Sequence, residues 1–189
     1  MYNTAALLIL IGILLEMFSL EATRLFYIDK KTVREIIITA VFATTLYMLF
    51  LSLGWQCGKW FLSGVTKNKY LMSSMIVILT FIAIMQERRK IPRGLTLIYQ
   101  NYILFLGIVL SKSIIHLISG AIFYTMDLFT HVFFHWILIS TTVFSLISII
   151  LTYLSTKFNY MNMRIFGFSF GKLKILLYFA ALILVIFVI

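Results

Sequence analysis

Long apolar runs separated by short polar segments make up most of this chain. A helix needs about 20 mostly apolar residues to cross the hydrocarbon core of a bilayer, and six runs reach or approach that length. We therefore predict an all-α integral membrane protein with six transmembrane helices, the first to sixth predicted spans. These spans cover residues 4–27, 35–60, 69–85, 96–124, 128–154 and 173–189.

The composition agrees with this pattern. Of the 189 residues, 62% are hydrophobic and only 12% are charged, whereas a soluble domain carries about 25% charged residues. We predict one transmembrane domain over residues 1–189, divided into halves at 1–93 and 94–189 with three predicted spans each. Because three is odd, the two halves have opposite orientations in the membrane, which permits an inverted repeat.

The formal charge of +10 changes the picture only through its distribution. The basic residues lie in short clusters between apolar runs, a pattern typical of membrane topology rather than of nucleic-acid binding. They are concentrated in the first, third and fifth connections, so we predict that these are cytoplasmic and that both termini are outside. The expected location is the plasma membrane of a bacterium, with the lipid bilayer as partner and no nucleic acid.

Ionisable and polar residues inside predicted spans are costly in a membrane, and they mark candidate sites. Glu16 and Glu21 lie in the first span, and Lys112, Ser113 and His116 lie in the fourth. In one interpretation they line a midplane site for an ion or a polar substrate, with Glu16 and His116 as the metal ligands. In the other, Glu16 and Lys112 form a buried ion pair that only fixes the register of two helices.

A second constellation lies where the fifth span begins. Asp127, His131 and His135 are spaced four residues apart, so neighbouring members share a helix face and could bind a metal ion together. The three span about 12 Å of helix and cannot all reach one ion. The alternative interpretation is a set of polar and aromatic residues, including Trp136, at the membrane boundary.

Small residues in the second span predict close helix packing. Ser52, Gly54 and Gly58 lie on the same stretch of the span and would let another helix approach its backbone. Cys57, the single cysteine, is expected to pack as a small apolar residue. No hydrolase, metalloprotease, phosphate-loop or dinucleotide motif occurs, so we predict that the protein is not an enzyme.

Three short stretches resemble the MntP-type manganese efflux pump family and its sporulation-associated relatives. Residues 16–21 (EMFSLE) are similar to the family motif Asp-Ala-Phe-Ala/Ser-Val-Ser, which places Glu16 at the family's acidic position. Residues 54–58 (GWQCG) are similar to a Gly-Trp-x-x-Gly turn, and residues 113–120 (SIIHLISG) to Ser-Ile-Asp-Ala-Leu-Ala-Val-Gly. The resemblance implies a six-helix fold with two related halves and transport of a divalent cation.

The fourth span departs from the family pattern. The second family aspartate falls on Ile115, which cannot bind a cation, and Lys112 in the same span would repel one. The first hypothesis is therefore a divergent divalent-cation efflux protein, and the second is a non-transporting subunit that keeps the fold and binds a membrane protein partner or a second copy. A substrate-capture subunit of a vitamin or metal importer is a further alternative without a supporting motif.

Overall fold

The computed structural model describes residues 2–26, 33–65, 68–88, 102–126 and 170–187. Its side-chain description covers residues 3–17, 41–65, 68–87, 106–126 and 172–187. This part of the chain forms five helices and is otherwise turn or irregular, so the predicted all-α class is confirmed for it. The helices are α1 (Tyr2–Phe26), α2 (Val33–Phe61), α3 (Lys69–Arg88), α4 (Tyr102–Thr125) and α5 (Phe170–Phe187).

The helices follow the predicted spans closely. The first four correspond in order to the first four spans, and α5 corresponds to the sixth. The predicted fifth span, 128–154, lies outside the described residues, as do residues 96–101 at the predicted start of the fourth. The described helices therefore agree with the predicted element type and, within a few residues, with most of the predicted bounds.

Three of the helices contain stretches long and apolar enough to cross a membrane. These stretches are Val41–Phe61, Lys69–Glu87 and Leu106–Thr125. Their outward surfaces carry large exposed apolar side chains such as Leu49, Phe81 and Leu110. A protein in water exposes few contiguous apolar surfaces of this kind, whereas lipid covers them at no cost, so the fold fits an integral membrane protein.

Asn68 fixes the start of α3. Its side-chain oxygen accepts hydrogen bonds from the backbone N–H groups of Tyr70 and Leu71, at 3.0 and 3.2 Å. These are two of the N–H groups that the first turn of a helix leaves without an intrahelical acceptor. The cap therefore sets where the chain re-enters a helix after the turn that follows α2.

Exposed aromatic and basic residues gather where α2 ends and α3 begins. Trp60 and Tyr70 are exposed, and the Lys69 ammonium lies 5.8 Å from the centre of the Tyr70 ring. On α2, the Lys59 ammonium lies 5.7 Å from the centre of the ring of Trp55, which is one turn before it. Aromatic rings beside lysines are typical of the boundary between lipid and water, so this end of the bundle has the character of a membrane interface.

The helices pack in specific pairs. α2 packs on α4, α1 packs on α5, and α3 packs on both α4 and α5, with a smaller contact between α1 and α4. Gly12 of α1 lies against Tyr178 of α5. Glu16, one turn after Gly12 on α1, contacts Lys174, one turn before Tyr178 on α5. Residue numbers rise along one helix as they fall along the other, so α1 and α5 are antiparallel.

Glycine residues bring α2 and α4 into backbone contact. A Cβ atom at Gly54 would collide with the carbonyl group of Leu117, one at Gly120 would collide with the backbone of α2, and one at Gly58 would lie 2.9 Å from Cβ of Tyr124. Residue numbers rise together along the two helices, so the pair is parallel. The predicted role of Gly54 and Gly58 in close helix packing is therefore confirmed.

Candidate functional site: a buried ion cluster

Three charged side chains from three helices meet inside the bundle. Glu16 of α1 lies between Lys112 of α4 and Lys174 of α5. The Lys112 ammonium nitrogen lies 2.6 Å from Oε1 of Glu16, and the Lys174 ammonium donates a hydrogen bond to Oε2. We call Glu16, Lys112 and Lys174 the ion cluster. It joins helices that are distant in sequence.

The three members differ in their access to solvent. Glu16 and Lys174 are only 1% and 2% exposed, whereas Lys112 is 25% exposed. A buried ion without a partner would lose its hydration at a cost of several kcal/mol. Glu16 and Lys174 therefore depend on each other, whereas Lys112 keeps partial contact with the surroundings.

The ion cluster lies centrally along two helices and near the end of the others. Glu16 and Lys112 are close to the middle of α1 and α4, but Lys174 is only one turn from the start of α5. Near the end of α3, the Gln86 amide nitrogen donates to the carbonyl oxygen of Ser111 at 3.2 Å. The exposed carboxylate of Glu87, next in the chain, attracts the Lys112 ammonium. The ion cluster is therefore adjacent to the end of α3.

Lys174 is the member that sequence reasoning missed. It stands at the start of the sixth predicted span, where a basic residue is typical of membrane topology. The signal that could have identified it is spacing: Lys174, Tyr178, Ala181 and Val185 are all buried and follow one face of α5. A lysine in the apolar stripe of a helix needs an anionic partner, and that stripe predicts where its ammonium points.

His116 lies one turn beyond Lys112 on α4 and packs against α2. Its ring stacks on that of Tyr47, with the ring centres 4.3 Å apart and an angle of 6° between the planes. The side chain is 1% exposed, and neither ring nitrogen has a side-chain hydrogen-bond partner within the described part of the chain. Stacking therefore fixes the plane of the imidazole while its polar atoms stay available.

The two buried serines of α4, Ser113 and Ser119, differ in whether their hydroxyl groups have a hydrogen-bond partner. The Ser113 hydroxyl donates to the carbonyl oxygen of Val109 at 2.7 Å, within its own helix. The buried Ser119 hydroxyl has no hydrogen-bond partner among the described residues. The hydroxyl hydrogen of Ser113, a predicted site residue, is therefore used in a hydrogen bond within α4. The Ser119 hydroxyl can interact with a ligand or a water molecule.

Substitution of His116 separates the contribution of ring stacking to stability from that of the ring nitrogen atoms. We expect His116→Ala to lower the free energy of unfolding by about 3 kcal/mol, because it opens a cavity beside Tyr47. His116→Phe keeps a stacked aromatic ring and should cost less than about 1 kcal/mol. Thermal unfolding of the purified variants in detergent measures both. Equal losses in the two variants would show that the nitrogen atoms, rather than the ring, stabilise the fold.

Several predicted site residues cannot be placed in this geometry. Glu21 lies on α1, but its side chain is outside the described residues, as are Asp127, His131 and His135. Within the described ranges, no group of three or more histidine, cysteine, aspartate or glutamate side chains is arranged to hold a metal ion. The two predicted ligands that are described, Glu16 and His116, lie in different contacts: the first between lysines, the second on Tyr47.

The charges of the ion cluster determine which ligand it could accept. One carboxylate and two ammonium groups leave a net charge of +1 when all three are ionised. Two unit charges 4 Å apart interact by about 4 kcal/mol at an effective dielectric constant of 20. A divalent cation at Glu16 would meet two repulsions, each twice as large at the same distance because of its double charge, and Glu16 would lose both ion pairs. The arrangement as it stands is therefore unfavourable for a cation.

Comparison of the chain with protein-family models, with curated proteins and with solved structures finds no match.

Proposed function

We propose that this chain is a six-span membrane protein with a transporter-like fold. The helix directions support the number of spans. α1, α2 and α3 are joined by short connections, so in a bilayer they alternate in direction, and α4 is parallel to α2. α5 is antiparallel to α1 and therefore parallel to α4. Two parallel helices that both cross the membrane need one return crossing between them, and the apolar segment 128–154 provides it.

The helix pairs also support an inverted repeat. Such a repeat relates the first span to the fourth, the second to the fifth and the third to the sixth. Under this exchange the pair α1–α5 becomes the pair α4–α3, and both pairs pack together. The pairs α1–α4 and α3–α5 map onto themselves and are also in contact. Under the same exchange, the remaining pair, α2–α4, becomes the pair of the fifth span and α1. The repeat therefore predicts that the fifth span packs on α1.

Within this fold, we propose that the protein is a non-transporting membrane subunit in which lysine ammonium groups stand where a relative would hold a cation. The observation that carries this proposal is the double pairing of Glu16. Its carboxylate is the acidic group that the family resemblance assigns to the metal, and two lysines engage it from α4 and α5. Neutralisation by fixed charges allows the helices to pack without an ion.

Manganese binding by the purified protein tests this proposal. We expect wild-type protein in detergent to bind no stoichiometric Mn²⁺ at saturating concentration, because the ion would have to displace two ammonium groups. Elemental analysis after removal of free metal gives the stoichiometry. The variant pair is Glu16→Gln, which removes the carboxylate charge, and Lys59→Met, which removes an exposed ammonium on α2 far along the chain from the ion cluster.

One outcome would reverse the proposal. Stoichiometric Mn²⁺ that is present in wild type and in Lys59→Met, but absent in Glu16→Gln, would show that the lysines yield to the ion. Binding that all three proteins share would place the metal elsewhere and leave the ion cluster intact.

A divalent-cation efflux protein is the second candidate, and the exposure of Lys112 favours it. At 25% exposure this lysine can leave Glu16 without crossing a closed core, and Glu87 offers its ammonium another carboxylate. In that mechanism the Lys112 ammonium would pair with the Glu16 carboxylate between transport events and would move away from it when a cation enters. The manganese experiment distinguishes this candidate from the first, because it requires binding that depends on Glu16.

The setting of the proposed function follows from the charge distribution. Basic connections on one side favour a bacterial inner membrane protein with both termini outside. The apolar side chains exposed on the described helices can contact lipid, a partner protein or a second copy of this chain.

A further inference from the structure

A second layer of buried polar groups lies beside the ion cluster. His116 is four residues after Lys112 on α4, and Tyr178 is four residues after Lys174 on α5. Residues four apart lie on one helix face, about 6 Å apart along the axis. Because α4 and α5 run in the same direction in the proposed topology, both side chains lie on the same side of the ion cluster.

The polar atoms of this layer are available for a ligand. The Tyr178 hydroxyl and both ring nitrogens of His116 are buried, with no side-chain hydrogen-bond partner in the described part of the chain. Ser119, almost one further turn along the same face of α4, presents a buried hydroxyl in the same condition. Buried polar groups are normally paired with protein or with ordered water, so several such groups within one or two turns of the ion cluster point to an occupant.

Small residues make room for this layer. A Cβ atom at Gly12 of α1 would collide with the Tyr178 ring, so the glycine allows the ring to lie on the backbone of α1. Ala181, the next buried residue on α5, is also small. Further along the helices, large apolar side chains are fully buried, among them Ile9, Ile122 and Phe123. The polar region is therefore bounded by the ion cluster at one end and by apolar packing at the other.

The available groups are mostly hydrogen-bond donors. Two ammonium groups, the Tyr178 phenol and the Ser119 hydroxyl can all donate, and His116 can donate from one nitrogen. The single carboxylate already accepts a hydrogen bond from Lys174 and forms an ion pair with Lys112. A ligand that satisfies these donors must carry acceptors, and a negative charge would balance the net +1 of the ion cluster. This chemistry is unfavourable for a metal cation and fits a compact anion.

We propose that His116, Ser119 and Tyr178, together with the ammonium groups of Lys112 and Lys174, form a binding site for a small monovalent anion such as chloride or formate. The anion would lie beside the ion cluster, where the two ammonium groups attract it and the hydroxyl groups donate to it. Lys112, the most exposed member, marks the side from which the anion would enter. The proposal goes beyond the subunit role and does not depend on it.

Anion titration of the purified protein tests the proposal. The thermal midpoint is measured in detergent against increasing sodium chloride, and separately sodium formate, with sodium gluconate holding the ionic strength constant. We expect a saturable rise for at least one anion in wild type, since a ligand that binds only the folded state stabilises it. Tyr178→Phe and Ser119→Ala keep the packing of the site and remove one donor each, so each should weaken the anion affinity about tenfold.

Control variants decide the result. Lys112→Met should abolish the saturable rise, and Lys59→Met, which removes an exposed positive charge elsewhere, should leave it unchanged. The absence of a saturable rise in wild type for both anions would overturn the proposal. So would a rise that survives unchanged in Tyr178→Phe, Ser119→Ala and Lys112→Met. These results are independent of manganese binding, so the two proposals can fail separately.

Discussion

Gly120→Ala should lower the free energy of unfolding by about 3 kcal/mol or more. The added methyl group would meet the carbonyl oxygen of Leu51 and the backbone nitrogen of Trp55 on α2, the latter at 2.8 Å. Overpacking a core costs about 1 to 3 kcal/mol when side chains can adjust. Here the obstacle is the backbone of a neighbouring helix, so α2 and α4 must separate. The change is measured as the thermal midpoint in detergent.

The same substitution elsewhere on α4 provides the control. A Cβ atom at Gly107 would have no atom within 4 Å, so Gly107→Ala meets no obstacle. Alanine is favoured over glycine inside a helix by about 1 kcal/mol, and we expect this variant to be as stable as wild type or more stable. If Gly120→Ala and Gly107→Ala unfold together, the parallel contact between α2 and α4 is not as close as the structure has it.

Removal of the Glu16 carboxylate should have the second large effect. In Glu16→Met the Lys174 ammonium stays buried without an anion, and breaking a buried ion pair in this way costs about 3 to 5 kcal/mol. Lys112→Met removes the other partner of Glu16 but leaves the Lys174 contact. Because Lys112 is 25% exposed, its removal should cost less than half as much. Thermal unfolding of the two variants under identical conditions gives the comparison.

The double variant Glu16→Met/Lys174→Met separates charge from packing. Apolar side chains of similar volume can replace a buried ion pair with little loss of stability. We therefore expect the double variant to be more stable than Glu16→Met alone, since Lys112 can still interact with Glu87. A double variant less stable than the single one would mean that the side chains of the ion cluster are held mainly by their shape.

The sequence predicts the helices well because their signal is local. Each of the five apolar runs in the described part of the chain specifies its own helix, and the helix bounds follow within a few residues for α2 and α3. Gly54 and Gly58 were also recognisable, because small residues one turn apart on a helix indicate close packing wherever the partner is. The partner itself, α4 in parallel orientation, was beyond local pattern reasoning.

In the ion cluster, too, the sequence identifies some members and misses another. Glu16 and Lys112 stand out because each is a charge inside an apolar run, and their opposite signs predict a pair. Lys174 lies close to the start of its span, where a lysine usually reaches the membrane surface, and this masks the signal carried by its helical spacing from Tyr178 and Ala181. Only the packing of α5 against α1 turns its side chain inward to Glu16. Contacts between distant segments depend on the whole fold.

The long sequence separation of the ion cluster bears on how the protein is made. Lys174 follows Glu16 by 158 residues, and at about 5–20 residues per second its synthesis lags on the order of 10 s. The first helix therefore reaches the membrane long before its last counter-charge exists. During that interval the carboxyl group must be protonated, hydrated or shielded by the insertion machinery until α5 supplies Lys174.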